Sequence, residues 1–349
     1  MYLEPIKNVG FNIERSGEKM IDNNCRFQIL SLNGGGIKGV FTAKVLEELE
    51  RKYCKEGKTV LDHFDMICGT SIGGILALGL AYGLRPNELL EHLKITGPNI
   101  FPPRNTIRNF IRRFYAPLYD PEPLKTLLVE IFGDATIADL KVPLMIPAIN
   151  TTTGYPKAFK TNFLPDFTID QRYKLVDVAL ATSAAPTYFP LHKMEGARYA
   201  DGGLIANSPA LMGVHEAINR LGVEYKNIHV LSIGTMSSGF SIDQNLSSSG
   251  GYIGTWRGGK NLISLTMSAN EAMQNFMSKQ IIGDRFIEIE AKPNEQQVKN
   301  IDLDKASSSA LEILESNGIH AASNMMQVLE KQKIFDYLGD RTIMDHGGV

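Results

Sequence analysis

Gly69-Thr70-Ser71-Ile72-Gly73-Gly74 follows directly on the apolar run Phe64-Asp65-Met66-Ile67-Cys68 and opens a second one, Ile75-Leu76-Ala77-Leu78-Gly79-Leu80. That order predicts a strand, a sharp turn and a helix. A serine on such a turn is held on a strained backbone with its hydroxyl exposed above the sheet. A side chain at Gly69 or Gly73 would collide with the neighbouring strand or helix. The arrangement is that of a serine nucleophile. The bare pattern is also that of a tight turn before a core helix, and only its context separates the two.

Working outward, residues 26–32 read as a buried strand, broken by Asn33-Gly34-Gly35-Gly36 before a helix over residues 37–53. Downstream of the serine, the periodicity predicts helices from residue 72, over 85–95, 121–131, 175–182, 209–221 and 262–281. Strands are expected over residues 142–149, 155–159, 228–233 and 286–290. Two helices, over residues 306–316 and 320–338, are expected to end the chain. Strands alternating with helices imply a three-layer α/β/α architecture with a mostly parallel central sheet. No internal repeat or linker divides the chain, so residues 1–349 are expected to form a single domain. Residues 236–260, rich in serine and glycine, can bury little and are expected to be a mobile excursion.

Composition narrows the function classes. The chain has 349 residues, 43% hydrophobic and 21% charged, an ordinary globular balance. A formal net charge of -2 gives no footprint for a DNA or RNA duplex. Cys25, Cys54 and Cys68 have no metal-ligand spacing, and no calcium loop occurs, so neither metal nor other cofactor is expected. Sparse, odd cysteines fit a reducing compartment. The start Met1-Tyr2-Leu3-Glu4-Pro5 lacks the basic and apolar regions of a signal peptide. The apolar stretch over residues 72–84 is shorter than the roughly 20 residues of a membrane span. A cytoplasmic protein with at most peripheral membrane contact is expected.

Acyl transfer through serine needs a base for the hydroxyl proton and donors for the oxyanion. Gly34-Gly35-Gly36-Ile37-Lys38-Gly39 lies between a strand and a helix N-terminus, where unpaired backbone N–H groups point outward. Gly34, Gly35 and Gly36 are therefore the candidate oxyanion donors. Lys38 either supports the developing charge or is a solvated first-turn lysine. The same residues match G-x-G-x-x-G, but a dinucleotide site expects an acidic residue ending the next strand. Here that position falls in Glu50-Arg51-Lys52-Tyr53, a polar helix end. None of the seven histidines sits on a loop where a triad would need it. The better base is Asp201, because Asp201-Gly202-Gly203 allows a tight turn that presents its carboxylate. A carboxylate is a poor base for a hydroxyl in water. Burial raises its basicity, and preorganised oxyanion donors lower the demand on it.

Together, Gly34-Gly35-Gly36-Ile37-Lys38-Gly39, Gly69-Thr70-Ser71-Ile72-Gly73-Gly74 and Asp201-Gly202-Gly203 resemble the three signatures of patatin-like phospholipases, in family order. Ala181-Thr182-Ser183-Ala184-Ala185-Pro186 resembles a fourth block before the aspartate. The resemblance spans residues 27–208. It implies the patatin-like three-layer fold, a Ser71–Asp201 dyad without histidine, an oxyanion hole from the glycine loop, and hydrolysis of acyl esters in membrane phospholipids. The chain departs from the pattern at Asn33, where many relatives have Asp, and at Lys38, where many have Arg.

Residues 104–115 place Ile107, Phe110, Ile111 and Phe114 on one helical face, beside Arg104, Arg108, Arg112 and Arg113. This is the composition of an interfacial helix on anionic lipid, at the inner face of a membrane. It equally fits a helix packed on the core, a lid over the serine, or an anion-binding surface. The overall length and the Asn-Gly-Gly-Gly-Ile-Lys-Gly variant are similar to those of bacterial patatin-like effectors of antiphage signalling. That resemblance implies activation by a cyclic dinucleotide such as cGAMP, and leaves room for a homo-oligomer. The other readings are a constitutive lipid-turnover or toxin lipase, and a catalytically silent lipid-binding protein on the same scaffold.

Overall fold

In the computed structural model, which describes residues 26–55, 57–103, 116–164, 168–237, 250–252 and 254–339, the first apolar run forms β1 (Phe27–Leu32), buried along its whole length. A single 3-10 turn at Gly36–Lys38 leads into α1 (Gly39–Tyr53), which buries Val40, Phe41, Val45, Leu46 and Leu49. β2 (Met66–Gly69) passes through Thr70 and Ser71 into α2 (Ile72–Tyr82). Every residue of α2 from Ile72 to Leu80 is buried, which accounts for a sequence with no polar face. α3 (Pro86–Ile100) starts with proline at a position that needs no N–H donor. α4 (Glu122–Phe132) follows, then the hairpin of β3 (Leu144–Asn150) and β4 (Tyr155–Lys160). α5 (Leu175–Thr182) precedes a second hairpin, β5 (His192–Met194) and β6 (Ala197–Asp201). The chain continues through α6 (Gly203–Ala206), α7 (Ala210–Asn219), β7 (Ile228–Ile233), α8 (Lys260–Ile282), β8 (Phe286–Ile289), α9 (Glu295–Asn300) and α10 (Ser308–Lys331).

Among the described residues, eight strands form one mixed sheet, in the order β5-β6-β3-β2-β1-β7-β8 with β4 also on β3. β3, β2, β1, β7 and β8 run parallel; β4, β5 and β6 join antiparallel. Alternate side chains go to opposite faces. Leu30, Leu32, Leu231 and Ile233 pack with α1, α2, α5 and α10, whereas Phe27, Ile29, Ile228 and Val230 pack with α7 and Ile282 of α8. Helices thus cover both faces, giving the three layers.

One detail of the sheet positions the site. β4 pairs with β3 from Met145 to Asn150 and so occupies one of its edges. The other edge is divided. β2 pairs at Leu144 and Met145, and β6 pairs from the opposite direction at Ala148, Ile149 and Asn150. The C-terminal ends of β2 and β6 therefore meet head to head along one strand, and Ser71 and Asp201 sit at those ends.

The structure departs from expectation at several elements. The antiparallel hairpin β5–β6 stands where no strand was expected. α3 runs on to Ile100 through Gly97 and Pro98; Gly97 is a contact point rather than a stop, since an added Cβ would lie 2.5 Å from Ile37 Cδ1. The two expected C-terminal helices are one, α10. Gly318 looks like a break but is a contact point: a Cβ there would lie 3.0 Å from Lys44 Cβ and 3.1 Å from the Phe41 carbonyl oxygen on α1.

Candidate active site

Ser71 takes φ 54° and ψ −122°, a positive-φ conformation outside the regions open to ordinary residues, which costs a non-glycine residue free energy and is held here by its surroundings. The flanking glycines permit it. A Cβ on Gly69 would lie 2.2 Å from the Gly73 carbonyl oxygen, and one on Gly73 would lie 2.2 Å from that of Leu32. α2 thus starts in direct backbone contact with the strands behind it. The Ser71 N–H donates to Thr182 Oγ1 (3.0 Å), whose hydroxyl donates to the Pro147 carbonyl (2.7 Å). The Ser71 hydroxyl donates to Asp201 Oδ2 at 2.7 Å. At the N-terminus of buried α2, the helix dipole favours negative charge near Ser71.

Asp201 is 1% exposed. Its Oδ1 accepts the Gly203 N–H at 2.6 Å, and its own N–H donates to the Ala184 carbonyl at 3.0 Å. Burial pushes its pKa up to about 6, against the hydrogen bonds from Gly203 and Ser71, which stabilise the anion. Asp201 is therefore ionised at neutral pH yet more basic than a solvated aspartate. The block containing Thr182 and Ala184 holds both members of the pair: Thr182 through the Ser71 amide, Ala184 through the Asp201 amide.

The glycine loop lies against this pair. A Cβ on Gly34 would be 3.3 Å from Ser71 Cβ and 2.3 Å from Asn207 Oδ1. The Gly34 N–H is already used, donating to the Asn207 carbonyl at 2.9 Å. This corrects the expectation for Gly34, which supplies close approach rather than a free donor. Among the described residues, the Gly35 and Gly36 N–H groups have no protein acceptor, and Gly36 lines the cavity over Ser71. Gly36 has φ +58°, with the Leu303 carbonyl where a Cβ would stand, so only glycine fits. Gly39 abuts Ile72, and Gly202 abuts the Pro147 carbonyl.

Ser71 and Asp201 open into a cavity lined by Ile37, Ile75, Leu93, Phe101, Ile263 and Met267 among other apolar side chains. Such a lining fits a hydrocarbon chain and excludes water. A second, more polar cavity lies across the glycine loop, lined by Gly34, Lys38, Asn207, Thr235, Arg257 and Glu271. Lys38 lines this second cavity. Its charge acts on Glu271.

None of the six described histidines lines the Ser71 cavity. His192 pairs with Asp177 at 2.9 Å, and His229 is held neutral, its pKa lowered to about 4 chiefly by burial. Ile107, Arg108, Phe110, Ile111, Arg112 and Phe114 lie outside the described residues, as does most of the 236–260 excursion. Among the described residues no His, Cys, Asp or Glu cluster is arranged to hold a metal ion, and no helix is long and apolar enough to cross a membrane.

Three residues that bear on the site were missed from the sequence: Asn207, Asn270 and Glu271. Asn207 lies six residues after Asp201, in the same segment as its motif. Asn270 and Glu271 lie beyond residue 233, where no motif draws attention to them.

The sequence also matches known proteins. Residues 30–214 match the family described as patatin-like phospholipase. Over 323 residues, 92% of this chain and 95% of the relative, the sequence is 39% identical to a protein of Pseudomonas aeruginosa named cGAMP-activated phospholipase. Proteins of the same name from Escherichia coli and Vibrio cholerae are also similar. The first is 40% identical over 89% of this chain and 92% of its own. The second is 39% identical over 85% of this chain and 90% of its own.

Proposed function

This chain belongs to the patatin-like phospholipase family, and from that premise we propose that it cleaves fatty-acyl esters of membrane phospholipids through a Ser71–Asp201 dyad, switched on by a cyclic dinucleotide of the cGAMP type. The observation that carries the chemistry is the 2.7 Å hydrogen bond from the Ser71 hydroxyl to a buried aspartate, at the end of an apolar cavity.

An acyl chain in the cavity places its ester carbonyl over Ser71. Asp201 takes the hydroxyl proton as Ser71 Oγ attacks the carbonyl carbon. The oxyanion forms beside the Gly35 and Gly36 N–H groups and the N-terminus of α2, fixed dipoles that need no reorganisation. Collapse of the tetrahedral intermediate expels the lysolipid alkoxide, which takes the proton back from Asp201. Water, deprotonated by the same carboxylate, then releases the fatty acid. No histidine is required, because burial gives Asp201 its basicity. The substrate implies work at a membrane surface, with residues 104–115 the candidate contact and the inner face the candidate location. The activator reading rests on the names of relatives that match this chain nearly end to end, and the antiphage role and a homo-oligomer are proposed with it on the strength of the motif resemblance alone.

The test is fatty-acid release from mixed phospholipid liposomes, with and without cGAMP. Release should rise with the nucleotide and vanish in Ser71→Ala and Asp201→Ala, each shown to be folded by a cooperative thermal transition. Undiminished release by folded Asp201→Ala overturns the dyad. A panel of cyclic dinucleotides that neither binds nor changes the rate overturns the switch and leaves a constitutive lipase. Failure of Ser71 to react with a fluorophosphonate, together with no release, leaves a lipid-binding protein.

A further inference from the structure

We propose that Glu271, on α8, is a positioning residue for the reaction: its carboxylate clamps the glycine loop against the segment that carries Asp201, and so fixes the oxyanion donors over Ser71. The proposal rests on the acyl-hydrolase reading above.

Glu271 is 7% exposed. Oε1 accepts from Asn33 Nδ2 at 3.1 Å and Oε2 accepts from Asn207 Nδ2 at 2.5 Å. Asn33 is the first residue after β1, where the glycine loop begins, and the Ser232 hydroxyl donates to its Oδ1 (3.4 Å), leaving the amide nitrogen for Glu271. Asn207 closes the segment that starts at Asp201. Its carbonyl accepts the Gly34 N–H (2.9 Å), and its side-chain nitrogen also reaches the Gly34 carbonyl (3.3 Å). The preceding residue, Asn270, accepts the Asn207 N–H at 2.8 Å and donates to the Gly203 carbonyl at 2.7 Å. Gly203 in turn donates to Asp201 Oδ1. Two adjacent residues of α8 thus hold both halves of the site, one leading to the oxyanion loop and the other to the base.

The residue type matters. Both carboxylate oxygens face N–H donors, so an amide at this position would turn one N–H against another. Burial pushes the Glu271 carboxyl up, while hydrogen bonds from Asn207 and Asn33 and the nearby Lys38 charge stabilise the anion. A buried carboxylate is a weak source of stability, and its better-attested use is to specify one arrangement among several. Here the arrangement it specifies is the register of Gly34, Gly35 and Gly36 against Ser71.

The experiment compares Glu271→Gln, Asn33→Asp and the double variant with wild type on a soluble p-nitrophenyl ester, with and without cGAMP. Active sites are counted by fluorophosphonate labelling taken to completion, and melting temperature is measured alongside. Misplacing donors by an ångström or less costs up to about 100-fold. Each single variant should therefore lose about 10- to 100-fold in kcat per labelled site, with KM within about twofold. The double variant should recover most of that loss. The amide introduced at 271 can donate to the carboxylate introduced at 33 while its oxygen still accepts from Asn207. Fewer labelled sites and a lower melting temperature at unchanged kcat per site would mark a merely structural role and overturn the proposal. So would a double variant no better than the worse single one. Wild-type protein that neither labels at Ser71 nor hydrolyses the ester overturns the hydrolase reading itself, and the proposal with it.

Discussion

Replacing Asp201 by Asn should stabilise the protein while abolishing its activity. The carboxylate is buried, and its pKa rises from an ordinary 3.8 to about 6. At 1.36 kcal/mol for each pKa unit, keeping it ionised in the folded state costs about 3 kcal/mol. Below pH 3.8 the group is protonated in both folded and unfolded chains, and nothing is lost. Between 3.8 and 6 the folded protein holds the proton more tightly, so stability falls as pH rises. Above pH 6 the whole cost is present. An asparagine removes the charge yet keeps both contacts, its oxygen accepting from Gly203 and its nitrogen donating to Ser71 Oγ. For 349 residues, an unfolding entropy of about 2.1 cal/mol/K per residue converts about 3 kcal/mol into roughly 4 °C. Thermal unfolding at pH 5, 6 and 7.5 should show Asp201→Asn melting above wild type, by a margin that grows with pH and levels off beyond pH 6. Hydrolysis by wild type should rise over the same interval, and that of the variant should be lower by at least about 1,000-fold. A variant melting at or below wild type at pH 7.5, with a difference independent of pH, would refute the claim that burial makes this carboxylate basic.

Gly34→Ala drives a methyl into Asn207 Oδ1 and against Ser71, so ester turnover should fall by about 100-fold or more, at a cost to stability of about 1–3 kcal/mol read by urea unfolding. Ile263→Trp narrows the apolar cavity. With each displaced methylene worth about 0.8 kcal/mol, the loss of two or three should shift kcat/KM by roughly 30-fold from long towards short acyl esters, measured across a chain-length series.

The serine turn was legible because its evidence is local: an apolar run, a glycine-flanked serine and a second apolar run within about twenty residues. The meeting of Ser71 and Asp201 was legible only through the order of motifs, since no local pattern links residues 130 positions apart. The second antiparallel hairpin, β5–β6, was not. β5 has three residues, only one of them buried, too short and too exposed for a periodic signal. Gly318 and Gly97-Pro98 misled in the same way, because a glycine at a helix contact looks like a glycine that ends a helix. Asn270 and Glu271 were hidden by their polarity. On a helix of mixed composition they read as a solvated face, and their partners lie 63 to 238 positions away. The glycine loop was read as a row of donors, but its first N–H is consumed by an asparagine that the motif does not include.

Nucleophile and base come from strands that abut on one edge of β3, so their separation is set by the peptide spacing of that strand. Loops between them can lengthen or change without parting the two. A control mechanism acting on this enzyme has little leverage over the pair itself. It must work instead on admission: whether an acyl chain can thread into the chamber, or whether the electrophile, once there, finds its amide hydrogens in place.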